Sequence, residues 1–210
     1  LTGKSASQSD IRLSEDEIDE LLVTVRGLLS RKRRTLLHTD ASQLAFANRL
    51  DVEQVATGGR GTLEHILRIG PFTAIVRSAE SASQSFADFV NHYLEYVNDH
   101  IDRLPQGVTA HDPLPKVMLV PGLGCVASGS SRRIARMNAE IASHTHAIAA
   151  KVIDAFGSLQ SLSKQDVFDV DYWPLELYKL TLMPPPPELS GYVAIAANLP
   201  DKLAEPLVKR

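Results

Sequence analysis

The chain has 210 residues, 44% of them apolar and 22% charged, with a formal net charge of -3. That is the length of one domain, apolar enough to bury a core, and its slightly acidic balance gives no electrostatic case for nucleic acid or an anionic membrane as a partner. The single Cys excludes an internal disulfide framework and a cysteine-rich zinc site, which fits a reducing, cytoplasmic setting.

No apolar run approaches the roughly 20 residues that span a bilayer, and no signal peptide is visible. The chain opens LTGKSASQSD without Met and reads as a piece cut from something longer. Residues 1–13 are small and polar, a flexible lead-in. Ser14-Glu-Asp-Glu17 is a capping box, in which the serine hydroxyl takes one free helix N–H and Glu17 reaches back to another. Ile18, Leu21, Leu22, Val25, Leu28 and Leu29 then recur at helical spacing. Arg31, Lys32, Arg33 and Arg34 close that helix, where cations oppose the negative end of its dipole.

The pattern next predicts a short buried strand at 35–38 and a short helix at 41–50. Asp51 to Gly61 ends in a Gly-Gly-Arg-Gly loop. The stretch 62–76 starts as a turn or short helix and becomes a strand after Gly70-Pro71. A strong helix is expected over 81–104, with Phe86, Phe89, Val90, Tyr93, Leu94, Val97 and Ile101 as its apolar stripe. Pro105-Gln-Gly107 stops it.

Two apolar runs, 116–120 and 125–127, flank Pro121-Gly-Leu-Gly124 and read as a hairpin or a sharply bent strand pair. A second long helix is expected from 131 to 156, with Ile134, Met137, Ile141, Ile148, Val152 and Phe156 as its stripe and Gly157 as its C-cap. A third is expected around 163–181. Residues 183–189, MPPPPEL, form a stiff linker, and 191–197 is one more apolar, strand-like run. Strands and helices alternate, so the expected fold class is α/β, a layered sheet with flanking helices. Its domain covers 14–182, followed by the linker 183–189 and a strand-like tail, 190–210.

The glycines around 116–131 invite comparison with a phosphate loop. A dinucleotide fingerprint needs G-x-G-x-x-G, but Gly129 falls five positions after Gly124. A P-loop would continue Lys-Ser/Thr where this chain has Ser130-Ser131 after Gly129. What remains is a helix start at Gly129, Ser130, Ser131 and Arg132, a candidate anion site through its free N–H groups or simply an N-cap serine.

Other combinations are weaker. His144 and His146 stand two apart, which on a helix points them apart, so both read as surface residues. Asp169 and Asp171 could grip a cation but read as a solvated helix start before Tyr172-Trp173-Pro174. Trp173 is expected in the core or at an interface. Glu64, His65 and Arg68 could anchor a loop or, through Arg68, meet a phosphate. Cys125 sits in an apolar run and reads as inert. No Gly-x-Ser-x-Gly elbow marks a hydrolase.

Two stretches carry a resemblance. The strand, glycine turn, second strand and long helix of 116–156, and LLHTDASQLAFANR at 36–49, are similar to the closing part of a class II aldolase/adducin domain. LSRKRRTLLHTD, RGTLEHILRIGP, DPLPKVMLVPGLGCVASG and FDVDYWPLELYKL resemble more narrowly the middle region of bifunctional proteins that join a rhamnulose-phosphate-type aldolase to a short-chain dehydrogenase. This covers roughly residues 28–193.

The resemblance implies zinc ligands at a His-x-His and at a His-Gly turn. His38 falls on the first position, Asp40 on the second and Leu123 on the third, so the triad is degenerate, because a catalytic zinc needs three protein ligands. No Tyr-x-x-x-Lys dyad is present, and no known fingerprint for NAD follows residue 188. The resemblance therefore implies a non-catalytic module, with zinc and NAD held by neighbouring aldolase and dehydrogenase domains and with homo-oligomer contacts. The alternatives are a sugar-phosphate site completed by another domain or subunit, and a small anion-binding module.

Overall fold

The computed structural model describes residues 7–57, 59–182, 184–185 and 187–193. Eight α-helices and four strands are laid out among them: α1 (Glu15–Leu29), β1 (Leu36–Asp40), α2 (Leu44–Ala47), α3 (Val52–Thr57), α4 (Leu63–Ile69), β2 (Ala74–Ile75), α5 (Ala79–Asn98), β3 (Val117–Val120), β4 (Gly124–Gly129), α6 (Arg132–Phe156), α7 (Lys164–Asp171) and α8 (Pro174–Thr181). The strand order is β1-β4-β3-β2. β3 and β4 form an antiparallel hairpin, β1 runs antiparallel to β4, and β2 runs parallel to β3. This is the expected α/β class.

Alternation along the central strands sorts the core into two layers, because successive side chains point to opposite faces. Val117, Leu119, Cys125 and Ala127 pack with α2, α3 and α6. Met118, Val120 and Val126 pack with Leu21, Val25 and Leu29 of α1 and with Phe86 of α5. Both faces are covered, which is why the strands read as unbroken apolar runs. A third cluster is aromatic: Tyr93, Tyr96 and Val97 of α5 close on Phe168 and Tyr172.

The 121–123 turn is the expected hairpin connection. Leu123 N–H donates to the Val120 carbonyl at 3.0 Å. Gly124 has φ +123, and a Cβ there would stand 2.5 Å from the Asp40 carbonyl oxygen, so a side chain is excluded on two counts. Among the described residues, no helix is long and apolar enough to cross a membrane.

Several boundaries depart from the sequence reading. Residues 7–13, expected to be a flexible lead-in, are pinned to the domain: Ser9 N–H donates to the Asn48 carbonyl, Leu50 N–H to that of Ser7, and Leu13 N–H to that of Gly122. The 51–61 segment contains α3, whose Val52, Val55 and Ala56 are buried. The single helix expected over 163–181 is two, because Pro174 lacks an N–H and begins a new helix at its first position. Residues 188–191 form a turn, and 194–197 of the expected last strand lie outside the described residues.

The stripe of α6 is also displaced. Ile148 is 45% and Phe156 73% exposed. The buried face is Ala135, Asn138, Ala139, Ala142, Thr145, His146, Ala149, Ala150 and Ile153. Small side chains let the helix lie close on the sheet: a Cβ on Gly129 would come within 2.5 Å of the Ala135 backbone nitrogen.

Candidate functional site

β1 presents His38 and Asp40 on the same face, opposite Ala127 and Cys125 of β4, the face that packs on α6. The Asp40 carboxylate is fully engaged. Its Oδ1 accepts from the Ser42 N–H at 3.0 Å and the Ser42 hydroxyl at 2.6 Å, and its Oδ2 accepts from Gln43 Nε2 at 2.8 Å. Burial works against its charge, but these bonds outweigh burial and hold the carboxyl below its usual range. Leu123 offers no donor atom and packs with the α1/α5 cluster on the other side of the sheet. The structure thus brings His38 and Asp40 together and leaves Leu123 apart. A zinc triad does not fit these positions, and among the described residues no group of three His, Cys, Asp or Glu is placed to hold a metal.

Gln43 leads inward from Asp40 to a buried line of polar groups. Gln43 and His146 are each 0% exposed. The Gln43 amide nitrogen is committed to Asp40 and to the Ala139 carbonyl, so its oxygen must accept, and His146 Nδ1–H donates to it at 2.9 Å. His146 Nε2 then accepts from the Thr73 hydroxyl at 3.4 Å. Thr73 Oγ1 in turn accepts from Arg60 at 2.7 Å. The line runs from a cation to an anion with every donor pointing the same way. Burial, with Arg60 nearby, pushes the His146 pKa down to about 3, so the ring is neutral. The surface placement expected for His146 is therefore corrected: its position on α6 faces the sheet.

Arg60, from the Gly-Gly-Arg-Gly loop, also donates to the carbonyls of Gly70 at 2.6 Å and Phe72 at 2.5 Å. It fixes the Gly70-Pro71 turn that feeds β2. Desolvation lowers its pKa to about 9.

The Asp169/Asp171 pair divides. Asp169 makes an exposed ion pair with Arg103. Asp171 is 2% exposed, and its Oδ2 has no hydrogen-bond partner among the described residues. It borders a cavity of about 30 Å³ with Tyr93, His111 and Lys116. His111 Nε2 lies 3.8 Å from Asp171 Oδ1, its ring stacks on Tyr172 at 4.8 Å, and the Tyr93 and Tyr172 hydroxyls meet at 2.9 Å. Burial drives the Asp171 pKa up to about 7. Sequence reasoning took Asp171 as solvated. The signal available was its place between Phe168 and Tyr172, one helical face of aromatics. Trp173 beside it is 44% exposed. Cys125 is buried, and burial pushes its thiol up to about 12, which keeps it protonated.

Ser131 caps α6 by accepting from the Ile134 N–H at 3.3 Å, and Arg132 is exposed. Gly129 and Ser130 line a cleft of about 280 Å³, and its cations are Arg33, Arg34, Arg68 and Lys116 rather than Arg132. His65 turns away from this cleft and bonds to Thr145 at 2.9 Å. Arg68 pairs with Glu64 at 2.9 Å along α4.

Two comparisons bear on this arrangement. A family model described as "Aldolase class II, second domain" matches residues 16–180. The chain is also similar to "Uncharacterized oxidoreductase YuxG" of Bacillus subtilis (strain 168), at 29% identity over 200 residues, covering 87% of this chain and 28% of that protein. It therefore spans little more than a quarter of that relative's length.

Proposed function

The chain belongs to the family of class II aldolase second domains, and we propose that it is a non-catalytic module of a larger carbohydrate-processing protein that joins a rhamnulose-phosphate-type aldolase to a short-chain dehydrogenase. Its role there is to serve as a scaffold or oligomer contact. Zinc and NAD belong to the neighbouring domains.

One observation carries this reading. Of the three positions where the aldolase resemblance puts zinc ligands, Asp40 spends its carboxylate on Ser42 and Gln43, and Leu123 has no ligand atom and packs across the sheet from His38. The oxidoreductase name of the relative, and the small share of it that this chain spans, support a place inside a longer, redox-active protein.

The test is made on the purified chain, assayed with added zinc for cleavage of ketose 1-phosphates and with NAD for alcohol oxidation. Metal content is measured after gel filtration. Neither activity is expected, and zinc below one per chain is expected. Stoichiometric zinc that His38→Ala removes would overturn the reading in favour of a sugar-phosphate site completed by another domain or subunit.

A further inference from the structure

A cavity of about 210 Å³ lies where the loop before α4, the Pro71-Phe72 turn, α5 and the start of α7 meet. Its body is aromatic. His92 and Tyr96 of α5 are four residues apart, so they stand on one face of the helix about 6 Å from each other. The Phe72 ring meets both of them edge to face, 4.6 Å from the His92 ring and 5.2 Å from that of Tyr96. Leu162, from the segment that leads into α7, adds an apolar wall although it is itself 52% exposed. A dry cavity of about 150 Å³ is enough to take benzene, so this one has room for a six-membered ring with small substituents.

The polar groups around this space differ in what they still lack. Arg60 lines it, but its guanidinium is spent on Gly70, Phe72 and Thr73, with Asp171 favouring its charge from outside the cavity. Tyr96 is 0% exposed, and its hydroxyl has no hydrogen-bond partner among the described residues. A buried hydroxyl left unpaired is unfavourable, and a ligand atom that bonds it removes that penalty. Lys164, in the first turn of α7, is exposed and brings an ammonium to the same space. Burial, then the Lys164 charge, lowers the His92 pKa, with Glu95 pulling the other way. A neutral His92 ring donates through one nitrogen. No Asp or Glu is among the described lining residues, so at the Lys164 end the side chains offer donors and the matching ligand group is an acceptor.

We propose that this cavity binds a small aromatic acid that carries a ring hydroxyl, with its carboxylate on Lys164 and His92, its ring against Phe72 and Leu162, and its hydroxyl on that of Tyr96. The carboxylate stays at the exposed end, where losing water costs it least, and the ring takes the enclosed, mostly apolar part of the space. The spacing of His92 and Tyr96 along α5 matches a ring with its two polar groups at opposite ends. Aliphatic acids would leave the aromatic walls poorly filled, and neutral aromatics would leave the Lys164 ammonium unanswered.

The experiment is calorimetric titration of the chain at 150 mM salt with 4-hydroxybenzoate, benzoate, 4-hydroxybenzyl alcohol and acetate. 4-Hydroxybenzoate should bind, benzoate at least threefold more weakly, 4-hydroxybenzyl alcohol at least tenfold more weakly, and acetate not at all. Tyr96→Phe removes a hydroxyl that bonds nothing in the fold, and it should make 4-hydroxybenzoate and benzoate equal. Lys164→Met, at an exposed position, should make the acid and the alcohol equal. Melting temperatures show that both variants fold. Absence of binding at 10 mM 4-hydroxybenzoate would overturn the proposal, as would affinities unchanged in both folded variants. A preference for the ring hydroxyl that survives Tyr96→Phe would overturn the role of Tyr96, and an alcohol that binds as tightly as the acid would overturn the ligand class. These outcomes are independent of the non-catalytic reading, since neither turnover nor zinc is measured.

Discussion

Asp171 should make the folded chain lose stability as pH rises toward neutrality. Its carboxyl has an ordinary value of 3.8 and is pushed up to about 7 by burial, with Lys116 and Arg60 pulling weakly the other way. Between these values the unfolded chain releases the proton and the folded chain keeps it, so the folded state binds more protons. Stability then falls with rising pH by about 1.4 kcal/mol per unit, about 4 kcal/mol in all, and levels off above the folded value. The group is 2% exposed, so solvent screening removes little of this. His111, whose pKa burial lowers, works in the opposite sense below its ordinary value, gaining stability as pH rises. Comparison with Asp171→Asn cancels that contribution to first order. Urea unfolding of both proteins from pH 4.5 to 8.5 is the assay. The advantage of the variant should grow steadily to about pH 7 and then stay level. An advantage that does not change with pH, or a variant less stable than the parent at pH 8, would refute the assignment of a buried, poorly compensated carboxyl.

Two further outcomes follow from the geometry. Gly124→Ala should cost about 2–4 kcal/mol in urea unfolding, since it joins an unfavourable φ to a backbone clash at Asp40; a loss under 1 kcal/mol would mean that the β1–β4 junction relaxes easily. His146 should remain neutral with its proton on Nδ1 from pH 8 down to pH 5, visible in long-range proton–nitrogen spectra, because its folded pKa lies far below that range. A His146 titration near pH 6.5 would break the orientation assigned to the whole Asp40–Arg60 line.

The elements written in local chemistry were legible. The Ser14 capping box forms as expected, with the Ser14 N–H donating to Glu17 at 2.8 Å, and the hairpin at 121–123 follows from its glycines. The faces of the long helices were less so. Large aliphatics on α6 suggested a stripe, yet the sheet takes the alanine side, because close approach to β4 favours small residues over large ones. On α5 the expected stripe omitted Tyr96, which is 0% exposed, and included Leu94, which is 44% exposed; the aromatic partners that draw Tyr96 inward from outside its own helix are Phe72, just before β2, and Phe168 of α7. The positively charged cleft was invisible for the same reason. Arg34, Arg68 and Lys116 are separated by long stretches of sequence, and only the cation run at 31–34 and Arg68 drew notice, each beside a local explanation.

The line from Arg60 through Thr73, His146 and Gln43 to Asp40 has a consequence for how such a domain can diverge. Each middle member must donate on one side and accept on the other, in the same sense as its neighbours. A chain that replaced His146 by an aliphatic residue would strand the Thr73 hydroxyl and the Gln43 oxygen together. Substitutions at 43, 73 and 146 are therefore expected to occur as a set across related domains, together with changes at Asp40 and Arg60, which anchor the two ends of the line.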